Sequence, residues 1–300
     1  MDRRLVAARA GALALALALD HALREPPLPV HPVRLAGRYL AAAGRRVPAR
    51  PRDRAVVAGA LAWTAGAATA FLTGRLVERT VRDAPPWRRA AVLGAALWPL
   101  FAHRLLLDEV AAVERALTDD GVEAGRAAVA RIVSRDVSEL APEQVRAAAI
   151  ESLGENLSDS VVAPLLWFAV GGLPAAALYR FANTADAVWG YRTERWRHAG
   201  TVAARADDLL NLLPARVTGL ALAGRTVRLT DLRREAARAP SPNAGWPMAA
   251  LALRLGIRLE KPGVYVLAAG GRAPTAGDTA AALRRAGGMP RNGTRRRRYR

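Results

Sequence analysis

The stretch Ile150-Glu151-Ser152-Leu153-Gly154-Glu155-Asn156-Leu157-Ser158-Asp159 repeats an acidic residue every four positions, at Glu151, Glu155 and Asp159. On a helix this spacing puts three carboxylates on one stripe. Like charges so placed repel by roughly a few tenths of a kcal/mol per pair, so a stripe beside an apolar segment asks for a cation. Magnesium or facing arginines would serve; a solvated acidic face fits the spacing equally well. A second group runs through Asn183, Thr184, Asp186, Gly190, Tyr191, Glu194, Arg195, Gly200, Arg205, Asp207, Asp208, Asn211, Pro214 and Arg216. Carboxylates that hold magnesium and arginines that bind phosphate or carboxylate oxygens are the parts a nucleotide-dependent ligase uses to neutralise developing charge. Helix-capping acids and interface ion pairs are the plainer explanation of the same residues. A third piece, Ser241-Pro242-Asn243-Ala244-Gly245-Trp246-Pro247, reads as a tight turn, with Asn243 and Gly245 suited to positive φ and backbone N–H groups available to an anion.

Other chemistries are excluded. Cysteine is absent, which removes disulfides, thiolate nucleophiles and cysteine-based zinc sites. The four histidines, His21, His31, His103 and His198, show no HExxH spacing, so a bound metal would be held by carboxylates, a donor set that suits magnesium better than zinc. Neither GxxxxGK[ST] nor GxGxxG occurs.

The elements that must position these groups follow from composition. The 300 residues are 52% hydrophobic yet carry a formal net charge of +19. Apolar blocks separated by arginine-rich loops are the pattern that a bilayer and the positive-inside bias produce. A nucleic-acid partner is not expected, because the arginines are scattered among apolar blocks and form no basic patch with interleaved aromatics. Apolar runs at 5–23, 55–73 and 90–107 are each near the roughly 20 residues of a spanning helix, and weaker ones cover 161–182 and 209–223. The first resembles a signal peptide but lacks a small-residue cleavage site, and reads as a retained membrane segment. The loop 24–54 holds eight arginines and is the best cytoplasmic candidate, although 75–89 is also basic. From Asp108 to Arg146 the pattern turns amphipathic, as expected of soluble helices docked on a membrane domain, with Pro142 opening a helix. An extended piece is expected at 263–269 and a helix at 275–286. The expected fold is all-α: one polytopic, helical integral membrane domain over 1–290 with amphipathic soluble segments, then a basic, disordered tail at 291–300.

The run 161–182 contains Pro164 and Gly171-Gly172-Leu173-Pro174. Such breakers within an apolar segment predict a broken or re-entrant helix buried in protein. If the segment re-enters, the polar groups before and after it share one face; if it crosses, they meet only at membrane depth.

At these residues the chain resembles the CobD/CbiB family of adenosylcobinamide-phosphate synthases. Four phrases match in order: His31-Pro32-Val33-Arg34 with Gly37; Glu151 to Pro164; Asn183-Thr184 through Asp186, Gly190-Tyr191, Glu194-Arg195, Gly200, Arg205 to Asp208 and Pro214 to Arg216; and Ser241 to Gly245. The match extends from about 20 to 256. It departs at Arg24-Glu25-Pro26, where the family often has Gly-Asp-Pro, and near Leu259 to Pro262, where a glycine pair is missing.

The resemblance implies an enzyme of cobalamin biosynthesis in the cytoplasmic membrane, with its site on the cytoplasmic side. It would join aminopropanol or its O-phosphate to adenosylcobyric acid, an acid–amine ligation consuming ATP with magnesium, near other membrane enzymes of cobalamin assembly. By that match, Glu151, Glu155, Asp159 and Asp186 are expected to bind magnesium or take the proton of the attacking ammonium. Arg195, Arg205 and Arg216 are expected on phosphate or carboxylate, Asn156, Asn183 and Asn243 on substrate amides, and His31 and Arg34 at the corrinoid or phosphate entrance. A corrinoid-binding scaffold or a transporter without catalysis is the alternative, since broken apolar segments with polar residues also describe transporters.

Overall fold

The computed structural model describes residues 3–26, 31–191 and 193–287; the tail expected at 291–300 lies outside them. Thirteen α-helices and one short β-hairpin are present among the described residues. Four helical stretches are long and apolar enough to cross a membrane, Val6–Leu23, Arg52–Thr80, Pro86–Asp119 and Pro142–Trp189. The chain is therefore a polytopic helical membrane protein.

Helix α1 (Arg3–Leu23) packs along α4 (Pro86–Leu97), and α3 (Arg52–Thr80) packs along the later helix α8 (Ala163–Trp189). Both contacts use small residues, which let backbones approach where burial in lipid gives no hydrophobic drive. Ala8, Ala12 and Ala16 of α1 are buried, and a Cβ on Gly94 would lie 2.9 Å from the Ala12 carbonyl. A Cβ on Gly74 would lie 2.8 Å from the Pro174 backbone.

The apolar stretch 90–107 is not one continuous helix. Helix α4 ends in a 3₁₀ turn at Trp98–Leu100, Phe101 is extended, and α5 (His103–Asp119) begins afresh. Pro99 explains the interruption, since it offers no N–H to continue the ladder. The new N-terminus is capped from α1, where Asp20 Oδ2 accepts the Arg104 N–H at 2.8 Å. The stretch 209–223 is divided by Asn211 between α9 (Thr201–Leu210) and α10 (Leu212–Ala223). At about 18 Å, α10 is short of a roughly 30 Å hydrocarbon layer.

The breakers at 171–174 act as a hinge. Helix α7 (Pro142–Leu157) passes through a π-turn (Ser158–Val162) into α8, whose helical run is interrupted at Gly172, φ 72°, ψ −164°. The chain folds back there: the Tyr179 hydroxyl donates to the Asp159 carbonyl at 2.9 Å. Twenty residues of straight helix would separate those two by about 30 Å. The turn is clamped from both sides. Arg9 of α1 donates to the carbonyls of Ala169 and Val170 at 3.1 and 3.3 Å, and Glu78 of α3 accepts the Leu173 N–H at 2.9 Å. A cation thus meets the carbonyl end of one limb and an anion the N–H end of the other, as helix dipoles favour. The limb from 162 to 172 is about 16 Å long, half the hydrocarbon thickness. Both polar flanks therefore lie at one end, the arrangement expected of a re-entrant segment.

Around that end gather α2 (Pro32–Gly44), α6 (Val122–Val129), α11 (Leu229–Ala236), α12 (Gly245–Leu255), the hairpin of β1 (Leu259–Lys261) with β2 (Tyr265–Leu267), and α13 (Ala276–Ala286). The antiparallel strands pair Leu259 with Leu267 and Lys261 with Tyr265. Beside the hairpin an isolated parallel bridge joins Ile257 and Arg272; β2 falls within the extended piece expected at 263–269, while β1 precedes it.

Candidate functional site

Six separate parts of the chain close on one cavity of about 540 Å³. Helix α7 and its π-turn contribute Glu151, Glu155, Asn156 and Asp159, and the returning limb of α8 contributes Asn183 and Asp186. Asp207 and Asp208 come from α9 with Asn211 after it, Ser241 and Asn243 from the turn before α12, and Lys261 and Tyr265 from the hairpin. Ser134 and Arg135 complete the wall. The four-residue acidic spacing does define one stripe, and the stripe faces inward. The π-turn carries Asp159 into line; such insertions widen a helix locally and recur at functional sites.

Six carboxylates line this space against two cations, Arg135 and Lys261. Arg135 forms a buried ion pair with Glu151 and also donates to the Glu260 carbonyl at 3.3 Å. The second oxygen of Glu151 is buried without a partner. Among the described residues, none of the other five carboxylates has a basic group within ion-pair distance. Asp207 accepts from Asn183 Nδ2 at 3.2 Å. Burial, reinforced by the charge of Asp186, raises the Asp207 carboxyl to about 6. The Tyr265 phenol is pushed up by burial and by the nearby Glu151 charge, so it stays protonated as a donor.

The amides are fixed. Asn211 Oδ1 lies 2.8 Å from the Tyr179 hydroxyl and shares its one hydrogen with the Asp159 carbonyl, and the Asn211 Nδ2 is buried without a partner. Asn243 accepts from Arg216 at 2.6 Å and donates to the Asp208 carbonyl at 2.7 Å. Asn156 donates to Ser152. In the turn at 241–245 the N–H groups of Asn243 and Ala244 are taken up within the turn, both bonding the Ser241 hydroxyl at 3.2 Å. Neither Asn243 nor Gly245 has positive φ. Gly245 is needed because a Cβ would run into the Ala236 carbonyl.

The arginines expected on phosphate are placed otherwise. Arg195 donates to the carbonyls of Gly44 and, at 2.7 Å, Val47, with its guanidinium 4.5 Å from the Trp196 ring; it ties the end of α2 to the 193–200 turns. Arg216 braces Asn243 and lies over Trp246. Arg205 is exposed. His31 is a buried cap of α2, its Nδ1 accepting the Val33 N–H at 3.3 Å. Burial pushes its imidazole down, toward the neutral form that cap requires. Arg34 is exposed. Neither lines the acidic cavity, but His31 Nε2 lies 3.6 Å from Glu25, which lines an adjoining cavity of about 520 Å³. The two cavities share Ser134, Ser152 and Asn156. In the second, Arg180 donates to Ser160 Oγ and Asn183 Oδ1 while its Nε is unpartnered.

Sequence reasoning missed Arg135, Arg180, Lys261 and Tyr265. Arg180 sits in an apolar run and Arg135 in a charged one, and neither stands out; Lys261 carried a signal, being the sole lysine.

The donors are hard oxygens, which fit magnesium. Among the described residues no three acidic side chains converge as a ready metal cluster, but magnesium commonly engages one or two carboxylates together with substrate phosphates. Glu155, Asp159, Asp186 and the unpartnered oxygen of Glu151 are the positions that would hold it.

No solved structure matches the chain. A cobalamin biosynthesis protein CobD from Brucella suis is 40% identical over 268 residues, covering 84% of this chain and 82% of its own length. A protein of the same description from Rhodobacter capsulatus is 46% identical over 183 residues, covering 60% of this chain and 58% of its own. The family model described as CobD/Cbib protein matches residues 13–288, a range that contains the whole cavity, and the chain belongs to this CobD/CbiB family of cobalamin biosynthesis.

Proposed function

We propose that the protein is an adenosylcobinamide-phosphate synthase of the cytoplasmic membrane, forming an amide between adenosylcobyric acid and aminopropanol or its O-phosphate at the expense of ATP. The observation that carries this reading is the single cavity in which six carboxylates and four amides from distant segments converge, beside a second cavity that shares its wall. Two adjoining spaces suit two reactants that must be held together.

A carboxylate resists amines because oxide is a poor leaving group. In this reading the corrinoid carboxylate attacks the terminal phosphorus of ATP, the bond to ADP breaks, and ADP departs with the electron pair. The amine then attacks the acyl carbon, and inorganic phosphate leaves. One proton must be lost from the ammonium before attack and one after. Asp207, raised to about 6, is matched to that transfer near neutral pH. Asn211 and Asn243, locked by their own hydrogen bonds, orient amide and carboxylate groups of the reactants. Magnesium, when bound among Glu155, Asp159 and Asp186, would screen phosphate charge that these acids alone would repel. Use of ATP places the cavity on the cytoplasmic side.

The test is mass spectrometry of the corrinoid after incubating detergent-purified protein with adenosylcobyric acid, ATP, magnesium and either aminopropanol or its phosphate, omitting each in turn. A mass gain equal to amide formation, absent without ATP, is the expected result, and the productive amine identifies the acceptor. Corrinoid binding without a mass gain would overturn the enzyme in favour of a scaffold.

A further inference from the structure

Of 45 basic residues, one is lysine, and it is Lys261. Every ion pair among the described residues takes its cation from arginine or histidine. The lone lysine makes none of them. It lines the acidic cavity and the smaller space beside it that Arg135 and Gln144 also line.

Its placement is rigid. Leu259 and Leu267, paired across the hairpin, are both fully buried. Between Leu259 and Lys261, the Glu260 carboxylate accepts from Gln144 of α7 at 3.1 Å and its carbonyl accepts from Arg135. The Lys261 carbonyl accepts the Val264 N–H at 2.9 Å, closing the turn. Lys261 stands directly opposite Tyr265, so the two side chains share a face, and that face is the cavity. A strand is thus pinned on three sides to present an ammonium that has no hydrogen-bond or ion-pair partner among the described residues.

Arginine and lysine differ in what they do beside carboxylates. A guanidinium forks onto a carboxylate and stays, as Arg135 does on Glu151. An ammonium is a compact point charge that keeps its donors free for an incoming oxygen anion. We propose that Lys261 is a catalytic residue that contacts the phosphoryl oxygens of the phosphate-bearing reactant in this cavity. The inference rests on the amide-forming reading above. The phosphate belongs either to ATP or to the amine substrate, and the experiment separates these.

The sequence makes the test unusually clean. Pyridoxal 5′-phosphate condenses with an amine, losing water, and borohydride reduces the imine to a stable secondary amine. Apart from the N-terminus, Lys261 is the only amine available. Peptide mass mapping of the wild-type protein is expected to find Lys261 labelled. Phosphate-free pyridoxal should label it at least about tenfold more slowly, and one phosphate ligand should protect it by a similar factor. Protection by a non-hydrolysable ATP analogue assigns the contact to the nucleotide. Protection by aminopropanol phosphate, with none from aminopropanol, assigns it to the amine substrate. Equal labelling by both aldehydes, with protection by neither ligand, overturns the proposal.

Because the chain has no cysteine, Lys261→Cys carries a single thiol that bromoethylamine converts into a lysine analogue. Turnover should fall by about 100-fold in Lys261→Cys, stay low in Lys261→Arg, and return on aminoethylation. Lys261→Cys retaining turnover within about threefold of wild type refutes the role. If wild type itself forms no amide, the functional reading fails, while labelling and protection still decide whether Lys261 meets a phosphate.

Discussion

Replacing Asp207 by asparagine is expected to make the protein more stable and less active, and the size of the first effect follows from the site. The carboxyl titrates near 6 in the folded protein, chiefly through burial and secondarily through Asp186, against about 3.8 in an unfolded chain. The folded state therefore holds the proton more tightly, and stability declines as pH rises from about 4 through 6. A difference of about two pH units corresponds to roughly 3 kcal/mol; partial solvent access and relaxation of neighbouring acids reduce this to about 1–2 kcal/mol. Asparagine removes the penalty while keeping an oxygen for the Asn183 amide. The assay is unfolding of wild type and Asp207→Asn in mixed micelles with chelator present, from pH 4 to 8. The variant should match wild type near pH 4 and exceed it by about 1–2 kcal/mol at pH 8, while amide formation falls by at least about 100-fold. A variant less stable than wild type at pH 8, or a difference that does not change with pH, would show that Asp207 is not held ionised against its surroundings.

Three further outcomes are expected. Gly172→Ala forces a side chain into φ 72°, ψ −164° and into the Glu78 carboxylate that accepts the Leu173 N–H; strain of about 1–3 kcal/mol and a weakened charged hydrogen bond of about 1.5–3 kcal/mol sum to a loss of roughly 2.5–6 kcal/mol in micellar unfolding. Gly37→Ala, where nothing lies within 4 Å, should change stability by less than about 1 kcal/mol, and equal behaviour of the two would discount the clamp. Arg195→Ala should lower stability by about 2 kcal/mol through the lost Gly44 and Val47 contacts, yet leave turnover per folded molecule within about threefold; a selective loss of turnover would return Arg195 to the phosphate role its position in the motif suggested. Glu155→Gln and Asp186→Asn should each reduce turnover by at least about 100-fold at saturating magnesium, whereas unchanged activity in both removes them from the site.

What could be read before the structure was periodicity, and what could not was pairing. Glu151, Glu155 and Asp159 announce a stripe because helical spacing is a local property, and the Gly-Gly-Leu-Pro at 171–174 announces a break for the same reason. Whether the broken segment folds back depends on Arg9 and Glu78, far away in sequence, supplying partners for the freed backbone groups. The arginines illustrate the converse. Arg195 and Arg216 stand within the motifs, but their guanidinium groups are spent on backbone carbonyls and on Asn243, a distinction that residue type does not encode. Arg135 and Tyr265, outside any matching phrase, reach the cavity because an irregular loop and a hairpin happen to close it. The interruption at Trp98–Leu100 falls inside a run read as one apolar segment, although Pro99 lies within it, and of the β-hairpin only the second strand was expected, as an extended piece at 263–269 rich in β-branched and aromatic residues.

The fold-back at Gly172 also bears on how the protein enters a bilayer. A segment that crossed outright would have to carry one of its two acidic flanks through hydrocarbon, and the translocation penalty of each unpaired carboxylate is about 2.5–3.5 kcal/mol even on the gentlest insertion scales. With the apex clamped by Arg9 and Glu78, the α7–α8 segment inserts as a loop pushed in from one side, and Glu151, Asp159 and Asp186 never leave water until the soluble helices close over them. The apex and the acidic cavity are thereby held by different parts of the chain: Arg9 of α1 and Glu78 of α3 hold the apex, whereas the cavity at the other end is closed by α9, the turn before α12 and the hairpin.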